Sequence, residues 1–141
     1  IGRTNINDVM SNNPFEAADQ IVSEVKADIY MVDFHAEATA EKLAMGYFLD
    51  GRITGLFGTH THIPTADNRV LPNGTGYITD LGMTGPSNSI LGMDIKTALI
   101  RFVKSLPEKY KVAEGPVELN GAIFDIDDKT NKVKSVYRVH L

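Results

Sequence analysis

Residues 58–62, Gly58-Thr59-His60-Thr61-His62, close a strand-forming run at 53–57. This junction constrains the chain more than any other stretch. In an extended segment, side chains at i and i+2 point to one side, with Cα atoms about 6.6 Å apart. His60 and His62 are therefore expected to share a face, where they can hold one metal or serve two adjacent ones. Two of the four histidines lie here, and a third, His35, ends another strand-like run at 29–34.

Between the two runs, residues 39–50 read as a helix with Ala40, Leu43, Ala44 and Tyr47 inward, stopped by Asp50-Gly51. A strand, a helix and a strand joined by short connections predict a parallel pair. The carboxyl ends of parallel strands share one edge of the sheet, so His35, His60 and His62 converge there. Open α/β sheets place their ligands at that edge.

Upstream, Asn13-Pro14-Phe15-Glu16 is a helix start, with Asn13 as cap and Pro14 at the first helical position. Phe15, Ala18, Ile21, Val22 and Val25 then form one apolar face. Downstream, residues 63–92 form a long segment rich in Gly, Pro, Asn and Thr, with a short strand at 76–79 and a loop at 80–86. Residues 93–106 read as an amphipathic helix through Ile95, Leu99, Phe102 and Val103, ended by Pro107. Strands at 117–126 and 133–141 flank a polar turn and predict a hairpin.

The chain has no cysteine, so a metal must take nitrogen and oxygen ligands. Its net charge of -4 argues against bulk nucleic-acid binding. No apolar stretch reaches the roughly 18 residues of a membrane span, and no secretory leader is visible, which points to the cytoplasm. At 141 residues it fits a single domain, 1–141. A beginning at Ile1-Gly2-Arg3, without an initiator Met, is expected of a processed or truncated product.

Other polar residues near the histidines are candidates for support. Asp33 shares a strand face with His35 and can orient its imidazole from behind. Glu37, Asp67 and Asp80 are further candidates, with turn formation as the competing role for the two aspartates. Thr59 and Thr61 alternate away from the histidines, so strand packing is expected of them. His140 lies on the polar face of the last strand. The stretch 125–130 lacks the Gly and the bidentate Glu of a calcium loop and reads as a hairpin turn.

Three stretches carry a resemblance: 33–42 (DFHAEATAEK), 58–67 (GTHTHIPTAD) and 79–86 (TDLGMTGP). Together and in this order they resemble the bacterial calcineurin-like metallophosphoesterases, most of all the subgroup of 2′,3′-cyclic-nucleotide 2′-phosphodiesterases. The resemblance implies an α/β fold, part of a four-layer α/β/β/α sandwich, and hydrolysis of phosphodiesters by a water activated at two divalent metal ions, Fe, Mn or Zn. It implies His35 and His60 on one metal and His62 on the other. It also implies a substrate loop at Met83, Thr84 and Gly85.

The family's early Asp, bridging carboxylate, Asn ligand and leaving-group His have no counterpart here. The chain therefore resembles the carboxyl-terminal half of such an enzyme, inactive alone and expected to pair with the missing half or self-associate as a homo-oligomer. The competing reading is a non-enzymatic fragment or interaction module that retains the histidines.

Overall fold

In the computed structural model, residues 13–141 are described. Helix α1 (Pro14–Glu24) starts at Asn13, whose side chain accepts the Phe15 amide, as the cap sequence predicts. Strand β1 (Met31–His35), helix α2 (Thr39–Phe48) and strand β2 (Gly55–Thr59) follow. β1 and β2 run parallel in register from Met31 opposite Gly55 to His35 opposite Thr59. β3 (Arg69–Val70) and β4 (Gly76–Ile78) complete a four-stranded sheet of order β1-β2-β4-β3. β4 is parallel to β2, and β3 is the antiparallel edge.

The two faces of this sheet are covered differently. Phe34, Leu56 and Tyr77 project to the side of α2, where they pack with Met45 and Leu49; Phe15, Ala18 and Val22 of α1 lie against the same core. On the opposite face lies the antiparallel hairpin of β7 (Asn120–Ile126) and β8 (Val133–His140). Its Phe124 ring rests over Gly55 and Gly76, which lack the side chain that would collide with it. The loop after β4 holds β5 (Gly85–Pro86), which pairs with β6 (Val117–Glu118). α3 (Ile95–Lys104) is capped by Asp94. Among the described residues no helix is long and apolar enough to cross a membrane.

Most elements match the sequence reading, but the strand expected at 117–126 breaks at Leu119 into β6 and β7, which lie in different sheets. Of the apolar face expected for α1, Ile21 and Val25 stay exposed, and on α2 only Leu43 of the four expected inward residues packs against the core. Ala40, Ala44 and Tyr47 are exposed, whereas Glu41, Lys42, Met45 and Gly46 are buried. The reason is Tyr77, which lies so close to Gly46 that a Cβ there would sit 2.7 Å from its ring. A large aromatic from β4 thus selects the small residue of the helix, and the helix rotates to bring it inward. The turn at 125–130 is a hairpin turn, with Asp127 accepting the Lys129 and Thr130 amides.

Candidate functional site

His35 is the last residue of β1 and Thr59 the last of β2, and the parallel register sets them side by side. His60 follows immediately, so strand polarity brings the first two histidines to one edge. His35 Nε2 lies 3.1 Å from His60 Nδ1, with the rings edge to face. Two nitrogens bound to one cation at about 2.1 Å each stand at about this separation.

The expectation that His60 and His62 lie in an extended segment is corrected. β2 ends at Thr59, and both histidines have positive φ, 119° at His60 and 67° at His62. Side chains with a Cβ rarely take that conformation, and residues held in it cluster at functional sites. The chain therefore turns sharply through 60–62, and simple alternation does not set where the rings point. His62 is instead held by the 87–93 loop, where its Nδ1 lies 3.1 Å from the Leu91 carbonyl oxygen.

The hydrogen bonds assign the ring protons. Thr59 Oγ1 donates its single proton to Asp33 Oδ1 at 3.0 Å, so it can only accept from His35 Nδ1, also at 3.0 Å. That leaves the lone pair of His35 on Nε2, the atom facing His60. The Leu91 carbonyl can only accept, so the neutral tautomer that fits His62 has its proton on Nδ1 and its lone pair on Nε2. Desolvation first, and the adjacent His60 second, hold the His35 ring below the ordinary imidazole range, with Asp33 pulling the other way. Neutral imidazoles with a free lone pair are what metal ligation requires.

Thr59, for which alternation predicts packing alone, is the link between Asp33 and His35. Lys42, which sequence reasoning missed, is fully buried and pairs with the equally buried Asp80 at 2.6 Å. Asp80 Oδ2 also accepts the Thr61 amide, between the two histidines, and Oδ1 accepts the Gly82 amide. Burial opposes ionisation of Asp80, yet these donors, Lys42 foremost, outweigh it and hold the carboxyl below its ordinary value. Asp67 is tied to Thr65 and Thr79 and braces β4 rather than the histidines. Glu37 lies exposed two residues beyond His35.

The candidate substrate loop is sewn to the histidine turn. The Met83 amide donates to the His62 carbonyl, and the Leu81 amide to the Gly58 carbonyl. Asn120, buried under the loop, donates to the Met83 carbonyl, and its Oδ1 lies 3.0 Å from His140 Nδ1. Thr84 is exposed at the loop's outer side, and Gly85 opens β5. His140, read as a solvent histidine, is thus exposed but hydrogen-bonded. Among the described residues no group of three or more His, Asp or Glu side chains is assembled to hold a metal ion.

The model of the YmdB-like protein family matches residues 1–139. The chain belongs to the YmdB-like family. It is 51% identical over 130 residues to a Bacillus subtilis protein named 2′,3′-cyclic-nucleotide 2′-phosphodiesterase, covering 91% of this chain and 49% of that one. A crystal structure described as a novel phosphatase from Mycoplasma pneumoniae superposes with a TM-score of 0.91 at 36% identity, over 100% of this chain and 51% of the other. The crystal structure of a hypothetical protein from Thermus thermophilus does so with 0.90 at 37% identity, over 99% and 54%. The chain spans about half the length of the relatives it matches.

Proposed function

We propose that these 141 residues contribute the histidine-bearing portion of a metal-dependent phosphodiesterase acting on 2′,3′-cyclic nucleotides. The 3.1 Å approach of His35 Nε2 to His60 Nδ1 carries this reading. A lone pair on His35 faces a second ring nitrogen there, and only a proton or a cation can stand between them. The relative of that name supports the substrate class.

In this reading His35 and His60 hold one divalent ion and His62 Nε2 a second. The donor set fits, since imidazole suits Fe, Mn and Zn. Such ions, when bound, stabilise charge on the phosphoryl oxygens and activate water. The chain's own residues do the rest. Thr59, backed by Asp33, fixes the His35 tautomer; Leu91 fixes that of His62; the loop at Met83, Thr84 and Gly85 borders the turn where a phosphodiester would lie. Two histidines on one ion and one on another leave most ligand positions open, so carboxylate and Asn ligands would come from the rest of a protein of the relatives' length.

The same rest of the protein would complete a four-layer α/β/β/α sandwich over the faces that stand bare here. Ile123 and Tyr137 of the hairpin are each more than half exposed. The test compares the 141 residues with the same chain extended to the relatives' length, assayed on 2′,3′-cyclic AMP with Mn²⁺. Activity is expected only in the longer chain, lost on His60→Ala. Full activity in the short chain would refute the sharing of ligands, and a fully active His60→Ala long chain would refute the metal role.

A further inference from the structure

We propose that the buried Lys42–Asp80 pair is a clamp that keeps the His60–His62 turn in ligating shape, which makes both members positioning residues of the metal site. The inference rests on the reading of His60 as a ligand. It goes beyond that reading by assigning the turn's geometry to a helix residue far from it in sequence.

Asp80 stands where three segments meet. Its Oδ2 takes Lys42 Nζ at 2.6 Å and the Thr61 amide at 3.0 Å, and its Oδ1 takes the Gly82 amide at 2.9 Å. Its backbone is tied as well, with the amide donating to Thr65 Oγ1 and the carbonyl accepting the Thr65 amide. The carboxylate is therefore held on both oxygens and through its own backbone, and its bonds tie α2, the histidine turn and the 81–83 loop together. Thr61 matters most, because it separates two histidines with positive φ. An extended backbone would be more comfortable at both, and the amide hydrogen bond between them opposes that relaxation.

The partners of both oxygens are donors, Lys42 Nζ and the Thr61 and Gly82 amides, which is the environment of a carboxylate and leaves a carboxyl proton no acceptor among them. A fully buried carboxylate needs a cation beside it. Lys42 supplies it by crossing β2 at Gly58, where a Cβ would lie 2.8 Å from Lys42 Cδ and 1.9 Å from the Thr79 carbonyl oxygen. A lysine on α2, a glycine in β2 and an aspartate after β4 thus form one device. Its output is the shape of the loop between them.

A purely structural ion pair would affect stability and leave metal binding untouched in any variant that folds. The discriminating variant is Lys42→Met with Asp80→Asn in the full 141-residue chain, probed with Zn²⁺ alone by chelator competition beside a urea melt. Asparagine offers one acceptor oxygen, so the Thr61 and Gly82 amides cannot both be met. The expected result is a cooperatively folded protein whose Zn²⁺ affinity has fallen about tenfold or more. A folded double variant that binds Zn²⁺ as wild type, while His60→Ala does not, overturns the clamp and leaves the ligand reading intact. Wild-type affinity in His60→Ala overturns both. Should the double variant fail to fold, amide exchange in the wild type decides. Thr61 protected like the interior of β2 supports the clamp, and Thr61 exchanging like an open loop overturns it.

Discussion

Thr59 Oγ1 bridges Asp33 Oδ1 and His35 Nδ1 at 3.0 Å on each side, so a hydroxyl sets which nitrogen of His35 faces His60. Carboxylates usually orient ligating histidines directly. Here the register of two parallel strands puts a threonine between them. Thr59→Val keeps the shape of the side chain and deletes the bridge. Zn²⁺ affinity is expected to fall by about tenfold, with a stability loss of about 1 kcal/mol. Thr59→Ser should retain both. Equal affinity in the Val and Ser variants, measured by chelator competition, would exclude the bridge as the orienting element.

Gly58 and Gly121 should respond oppositely to alanine. A Cβ at Gly58 would lie 1.9 Å from the Thr79 backbone oxygen just after β4, and a backbone atom has less room to yield than the end of a flexible side chain. At Gly121 a Cβ would meet nothing within 4 Å. Urea unfolding is expected to show a loss of about 3 kcal/mol for Gly58→Ala. Gly121→Ala should stay within about 0.5 kcal/mol of wild type. Similar effects at both sites would mean that β2 and β4 are not packed as described.

The contrast between these residues shows what the sequence made legible. The β1-α2-β2 unit, its parallel sense and the convergence of His35 and His60 follow from periodicity and connection length, which are local properties. Lys42 was invisible because its partner Asp80 lies 38 residues away. A charged helix residue is solvent-facing until such a partner is known. The positive φ at His60 and His62 was equally hidden. Those angles are imposed by hydrogen bonds to Asp80 and the 81–83 loop, and the residues themselves favour the extended form that alternation assumes. Thr59 was misread because alternation within one strand says nothing of a neighbour across the pair.

Acid should weaken the fold through Asp67. Burial disfavours its charge, but donation from Thr79 and Thr65 outweighs that and holds the carboxyl below its ordinary value of 3.8. A depressed folded value means that the ionised group is stabilised by folding. Its contribution is complete above the unfolded value and is lost as pH falls through the folded one. The urea midpoint is expected to decline as pH drops from about 5 towards about 3. Asp67→Asn should be less stable than wild type at pH 7 and show a shallower acid slope. An unchanged slope in this variant would remove Asp67 from the account.

The outer face of α3 is the place where the 141 residues should show a tendency to associate. Phe102 and Val103 are 74% and 75% exposed, and Ile95 and Leu99 are nearly half exposed beside them. Scattered apolar residues on a surface mean little, but a contiguous helical face of this kind marks contact with something. The chain spans about half of its relatives' length, so a segment like the remainder of those relatives and a second copy are the two candidates to cover it. In the 141 residues alone only the second copy is available. Sedimentation is expected to show concentration-dependent self-association, relieved by Phe102→Glu with Val103→Lys. Because neither side chain supports the core, the unfolding free energy read from urea melts should change little, by about 0.5 kcal/mol or less for each substitution. A wild-type chain that stays monomeric at every concentration would assign this face to solvent, and a double variant that unfolds would show that it packs inward after all.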